Sequence, residues 1–219
     1  QLSNNKYIYP KKAYKTVHLK NNYNLIPPIP DKDKFKLNVI KTELPGIITF
    51  QESIEINSKV NNWGEIMELH NLCHLSVIER HGKNGEYSHG FLKNFNLKSG
   101  AVASSVGHDA HNIIVAGLNA FDMKLALEFI NNEQGGIVII DQGKMVAKVS
   151  LPIAGLLSDK RATDISRENE IFKKSWIKAG CTLAYMGFNL LPLSVIPNIR
   201  LTNKGLVDVN TMSIIPLFE

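Results

Sequence analysis

Two short stretches of this chain concentrate groups able to do chemistry. His108-Asp109-Ala110-His111 places two imidazoles and a carboxylate within four residues, enough for two or three ligands of a divalent ion. In a strand His108 and His111 would point to opposite faces, so only a turn or a helical arc brings them together. Three readings are open from the residues alone: a metal site built on His108 and His111, a turn facing a substrate, or the polar end of a buried strand bonded to its own backbone. Glu79-Arg80-His81 closes another apolar run and offers groups that could converge on the first cluster. Arg80 can clamp an anion, and Glu79 or His81 can move a proton; a strand-end ion pair is the plain alternative. Ser104 and Ser105 sit among small residues with no G-x-S-x-G elbow, which argues against a serine hydrolase. Neither a G-x-G-x-x-G nor a G-x-x-x-x-G-K-S/T loop is present, so no phosphate cradle is expected.

These residues need a scaffold, and the patterning gives one. "KLNVIKT" and "IITFQESIEI" read as strands, and "EIMELHNLCHLSVIER" as a short helix running into a strand that ends at Glu79-Arg80-His81. "HGKNGEYSHGFL" is a turn between strands, and "GAVASSV" and "NIIVAG" are strands separated by the His-Asp-Ala-His turn, followed at once by Asn112 or beginning with it. Asn119 caps a helix presenting Met123, Leu127 and Ile130, which stops at Gly135-Gly136. "IVIIDQGKMVAKVSL" is a hairpin turned by Asp-Gln-Gly-Lys. A helix over about residues 164–179 presents Ile165, Phe172, Trp176 and Ala179, and prolines then divide an apolar tail into short pieces. "SLPIAGLLSD" is a buried crossover into that helix. The fold class is α+β, with a mixed or largely antiparallel sheet flanked by helices and an extended N-terminal arm.

The 219 residues suffice for one good-sized core carrying an arm. Residues 1–35 form the arm and linker, with three prolines in "NLIPPIPDKDKF", and residues 36–219 form the domain. The stretch "KYIYPKKAYKTVHL" within the arm is expected to hold one or two short strands completing a sheet of an upstream part. Residue 1 is Gln and no apolar signal core follows it, so the chain is expected to start within a longer or processed protein. The net charge of +5 divides unevenly: residues 1–41 hold nine Lys and two Asp, and the remainder holds 16 basic and 18 acidic residues. The lysines are scattered without Arg-rich or aromatic interleaving, so nucleic acid is not an expected partner. No apolar run approaches the roughly 18 residues of a membrane span. Cys73 and Cys181 make neither a disulfide framework nor a zinc pair, which fits a reducing, cytoplasmic setting.

"SVIERHGKNG", "GAVASSVGHDAHNIIVAG", "GGIVIIDQGKMVAKVSLPIAGLLSD" and "SVIPNIRLTNKGLVDV" followed by "IPLF" occur in an order that resembles the C-terminal domain of bacterial adenine deaminases of the amidohydrolase superfamily, over about residues 36–219. The resemblance implies a hydrolase of purine metabolism converting adenine to hypoxanthine and ammonia. In that family a hydroxide on a divalent metal centre (Mn, Fe or Zn) in a (β/α)8 barrel attacks the purine. No H-x-H occurs in this chain, and two cysteines cannot make the alternative H-x-E with P-C-x-x-C design, so the main ligands are expected outside it. Carried onto this sequence, the resemblance makes Glu79, Arg80, His81, Ser104, Ser105, His108, Asp109, His111 and Asn112 the positions expected to face the barrel. Departures at "HGKNGEYSHGF", "NFNL" and "AYMGFNLLPLSV" bear on the substrate more than on the fold. Expected partners are the upstream barrel, a purine and further copies of the chain. The alternative is a non-catalytic assembly or lid module of an amidohydrolase acting on another cyclic amidine or amide.

Overall fold

Neighbouring residues of the central strands fall alternately into two different cores, and this alternation explains their nearly unbroken apolar sequence. A computed structural model describes residues 8–20, 22–43, 47–57 and 62–219. In β5 (Ala101–Gly107), Val102 packs into one core and Ala101 and Ala103 into the other. In β6 (Asn112–Gly117) the same division separates Ile114 and Ala116 from Ile113 and Val115. In β7 (Gly136–Asp141) it separates Ile137 and Ile139 from Val138 and Ile140. A period of two with both faces covered turns every position apolar.

The remaining strands are β1 (Lys34–Thr42), β2 (Thr49–Asn57), β3 (Leu72–Ile78), β4 (Tyr87–Lys93) and β8 (Lys144–Ser150). Together they make one eight-stranded sheet in the order β2-β1-β4-β3-β6-β5-β7-β8. Every neighbouring pair is antiparallel except β1 and β4, which run parallel. The α+β class with a mixed, largely antiparallel sheet is therefore what the molecule adopts.

Three groups of elements cover this sheet. Helix α2 (Ala120–Asn132) buries Met123, Ala126, Leu127 and Ile130 on one face. Its start is fixed by Asn119, whose Oδ1 accepts from the Asp122 amide at 2.8 Å while its Nδ2 donates to the Asp122 carboxylate at 2.9 Å. The opposite face is covered by α3 (Ala162–Lys178), the short α4 (Tyr185–Asn189) and a small sheet of β9 (Ile199–Thr202), β10 (Gly205–Asp208) and β11 (Ser213–Ile215). Phe172, Trp176, Phe188 and Leu201 are the buried anchors there. Helix α1 (Trp63–His70) packs Trp63, Ile66 and Met67 against β1, β2 and Phe91. Among the described residues, no helix is long and apolar enough to cross a membrane.

The arm departs from expectation. The described residues of "KYIYPKKAYKTVHL" form no strand; Lys11–Tyr14 make one 3-10 turn, and the arm meets the sheet only at its end, where β1 begins at Lys34. Lys6 and Tyr7, the first residues of the expected strand region, lie outside the described residues. Instead of pairing, the arm buries Val17 and Leu25 against the α2 face of this sheet. Its backbone is satisfied by scattered partners: the His18 amide donates to the Arg80 carbonyl at 2.8 Å, and the Val17 amide donates to Gln134 Oε1 at 3.2 Å.

Candidate functional site

The β5–β6 hairpin turns at His108–His111, and the turn is aimed by an irregularity in the ladder. Ser104 pairs with Ile114 and Gly107 with Asn112, so β5 carries one extra residue before the turn. His111 closes it with a left-handed φ of 53°, a conformation His tolerates better than bulkier residues. The reversal brings together what a strand would separate: the two imidazole centroids lie 5.2 Å apart at 62°. One ligand atom each from His108, Asp109 and His111 lie within 4.8 Å of one another.

The turn is anchored from four directions, three of them through its backbone. The His108 amide donates to the Asn189 carbonyl at 2.8 Å, at the end of α4. His81 reaches the Ala110 carbonyl at 2.8 Å, and because a carbonyl only accepts, His81 Nε2 carries the proton. Arg80 Nε donates to the His111 carbonyl at 2.6 Å. Asn112 Nδ2 donates to Asn203 Oδ1 at 3.1 Å, tying the turn to the β9–β10 hairpin. Beside the turn opens a cleft of about 520 Å³, lined by His108, Asp109 and Asn112 and completed by residues 192–195 and 202–204.

The other candidates are placed behind the turn rather than on the cleft. Arg80 is 1% exposed, and its donors are spent on backbone: besides His111, they reach Thr16 O at 3.0 Å and Ala154 O at 3.0 Å. Burial pushes its guanidinium down to about 10, opposed by nearby Glu79. Arg80 thus clasps three carbonyls where the sequence admitted an anion clamp. Glu79 curls under its own loop, accepting from the amides of His81, Lys83, Asn84 and Gly85. Burial raises the Glu79 carboxyl, and these amide bonds outweigh it, leaving the group below the ordinary carboxylate range. Ser104 and Ser105 are fully buried; Ser105 Oγ donates to the Gly155 carbonyl at 2.6 Å and accepts from the Gly136 amide at 2.8 Å. Neither serine reaches a surface, so both act as internal struts.

Burial pushes the His111 imidazole below its ordinary range, with His108 and Arg80 adding to the effect and Asp109 opposing it. At neutral pH His111 is therefore an uncharged acceptor or ligand. Its Nδ1 is sealed from solvent and has no partner among the described residues.

Sequence reasoning missed the residues that hold this arrangement from a distance. Ala154 and Gly155 have φ of 57° and 70°, and these two left-handed residues turn both carbonyls inward, one to Arg80 and the other to Ser105. The "PIAG" loop was read only as a buried crossover; a Gly after three apolar residues was the available signal. Thr16, Asn189 and Asn203 carried no signal, because each matters only through a partner distant in sequence.

The family described as adenine deaminase C-terminal domain matches residues 46–213, a span that includes every candidate above. The chain belongs to the adenine deaminase C-terminal domain family. Among curated relatives, adenine deaminase 2 of Bradyrhizobium sp. (strain ORS 278) is 54% identical over 220 residues, covering 100% of this chain and 36% of the relative. An adenine deaminase of Chelativorans sp. is 53% identical over 98% of the chain, and one of Clostridium botulinum is 36% identical over 97%. Each of these alignments covers only 36% of the relative, so this chain spans little more than a third of their length. The matches to the adenine deaminases run through the arm as well as the sheet.

Proposed function

We propose that this adenine deaminase C-terminal domain works as the wall and cover of a purine pocket whose hydrolytic centre is supplied by an upstream amidohydrolase barrel, in an enzyme that converts adenine to hypoxanthine and ammonia. The observation that carries this reading is the match over 46–213 to the domain family, together with relatives named adenine deaminase that align along the whole chain. A divalent metal, Mn, Fe or Zn, would supply the nucleophile by lowering the pKa of water. What this chain's residues contribute is shape and exclusion. His108, Asp109 and Asn112 present polar atoms on a cleft, and the clasp of Arg80 and the strut of Ser105 fix their position from behind. A cover held this firmly excludes water and orients a planar base without reorganising.

One further observation fits docking of another protein body beside the cleft. Segments 47–49 and 195–198 are bonded to each other through Thr49, Pro197 and Asn198, and they leave Ile47, Ile48 and Val195 exposed next to a cleft that Val195 itself lines. In this reading the upstream barrel covers that apolar edge, the enzyme works in the cytoplasm, and further copies of the chain complete the assembly.

The test is a chimera in which this chain replaces the corresponding 36% of the Bradyrhizobium relative. Ammonia release from adenine with added Mn²⁺ or Fe²⁺ is measured for the chimera, the parent and the isolated chain. Activity in the chimera and none in the isolated chain is expected. A folded, metal-loaded chimera without activity beside an active parent overturns the reading, as does deamination by the isolated chain.

A further inference from the structure

Three side chains of the 108–111 turn are gathered without being used. Among the described residues, the His108 and His111 rings and the Asp109 carboxylate make no hydrogen bond or ion pair, although their ligand atoms lie within 4.8 Å of one another. The backbone beneath them is engaged at three points, to Asn189, His81 and Arg80. Holding the main chain while leaving the side chains open is the pattern of a site waiting for a ligand.

Unpaired buried atoms concentrate at the same spot. Of the seven buried side-chain atoms without a partner among the described residues, two are His111 Nδ1 and Asn112 Oδ1. Asn112 is 5% exposed and lines the cleft together with His108 and Asp109. Each such atom, left unpaired, destabilises the folded chain. A bound ion with its water would relieve that cost at His111 and Asn112.

The donor set decides the class of ion. Two imidazole nitrogens and one carboxylate oxygen suit borderline first-row divalent ions, whereas Ca²⁺ and Mg²⁺ prefer all-oxygen shells. Around a four-coordinate ion the ligand atoms stand roughly 3.4 Å apart, so binding draws the three inward. Asp109 is exposed and His108 half-buried, which leaves both free to close.

We propose that His108, Asp109 and His111 form a three-ligand site for a divalent first-row transition ion, with the remaining coordination open to the cleft that Asn112 lines. Two neutral imidazoles and one carboxylate leave the bound ion with a net positive charge, so the open position takes water or an anion. The inference is independent of the deaminase reading, since its readout is ion binding and not turnover.

The experiment is a titration of the chelator-treated 219-residue chain with Zn²⁺ by calorimetry and with Co²⁺ by its visible absorption, which reports the ligand set. One ion per chain is expected, with the step lost in His108→Ala and in Asp109→Asn and unchanged in His70→Ala, a histidine on α1. Mg²⁺ at the same concentration should not displace it. Circular dichroism establishes that each variant is folded, and His108→Ala serves where His111→Ala does not fold. Absence of a stoichiometric step overturns the proposal. So does a step that survives both His108→Ala and Asp109→Asn, or that disappears equally in His70→Ala, either of which means an adventitious ion only.

Discussion

The guanidinium of Arg80 donates through Nε to the carbonyl of His111 at 2.6 Å, and the same group reaches Thr16 and Ala154. One side chain at the end of β3 therefore joins the arm, the 108–111 turn and the 153–157 loop, three segments with no shared ladder. A Lys in its place keeps the charge but loses the planar fork, so at least two buried carbonyls lose their donor. Arg80→Lys is expected to lower stability by about 2–3 kcal/mol, read from urea denaturation. A variant as stable as the parent would show that the three carbonyls have other means of satisfaction.

Gly155 lies against that clasp. A Cβ built on it would stand 2.7 Å from Arg80 Nη1 and 2.8 Å from Cζ, and its φ of +70° already disfavours any side chain. Gly155→Ala therefore combines backbone strain with displacement of the guanidinium, and a loss of about 2–4 kcal/mol is expected. The thermal midpoint should fall for Gly155→Ala. The double variant with Arg80→Lys should fall by less than the sum of the two singles, because both damage one contact.

His74 makes stability depend on pH. It is 1% exposed between Trp63 and Phe91, with both ring nitrogens unpartnered among the described residues. Burial, with His89 adding to it, pushes its imidazole down to about 3. The folded value lies below the unfolded one, so the unfolded chain binds the extra proton; the neutral ring's contribution is present above about pH 6.5 and is lost as pH falls from there toward 3. At pH 5 the loss amounts to about 2 kcal/mol. Urea denaturation at pH 7 and pH 5 should show that extra loss in the parent and not in His74→Leu. Equal losses in both would place the proton elsewhere.

The sequence was most informative where structure is decided locally. Asp-Gln-Gly-Lys forms the β7–β8 hairpin because Gln142 and Gly143 accept positive φ, 49° and 76°, as its turn demands. Asn119 and Asp122 fix the start of α2 within one turn of chain. The His108–His111 turn was visible as a choice between faces that only a reversal could resolve. What could not be read is long-range: Ser105 meets Gly155 across 50 residues, Arg80 meets Ala154 across 74, and β1, besides its sequence neighbour β2, pairs parallel with β4. The arm was misread for the same reason. Val17 and Leu25 have no periodicity of their own, and their burial is dictated by α2 and the sheet beneath them.

Because the side chains of His108, Asp109 and His111 make no hydrogen bonds among the described residues, their removal separates chemistry from folding. His108→Ala leaves no partner unsatisfied and is expected to change stability by no more than about 0.5 kcal/mol. Ser105→Ala deletes a hydroxyl that serves both Gly155 O and Gly136 N in a fully buried position, and should cost about 1–3 kcal/mol. In the chimera with the Bradyrhizobium relative, a turn that faces the purine pocket requires the opposite ranking in kinetics. His108→Ala should lower kcat/KM for adenine at least about tenfold while leaving the denaturation midpoint in place. Ser105→Ala should lower the midpoint and, at temperatures where the variant is folded, retain most of the turnover. If His108→Ala deaminates adenine at the parent rate, the turn does not contact the reaction, and the anchoring of its backbone serves the sheet alone.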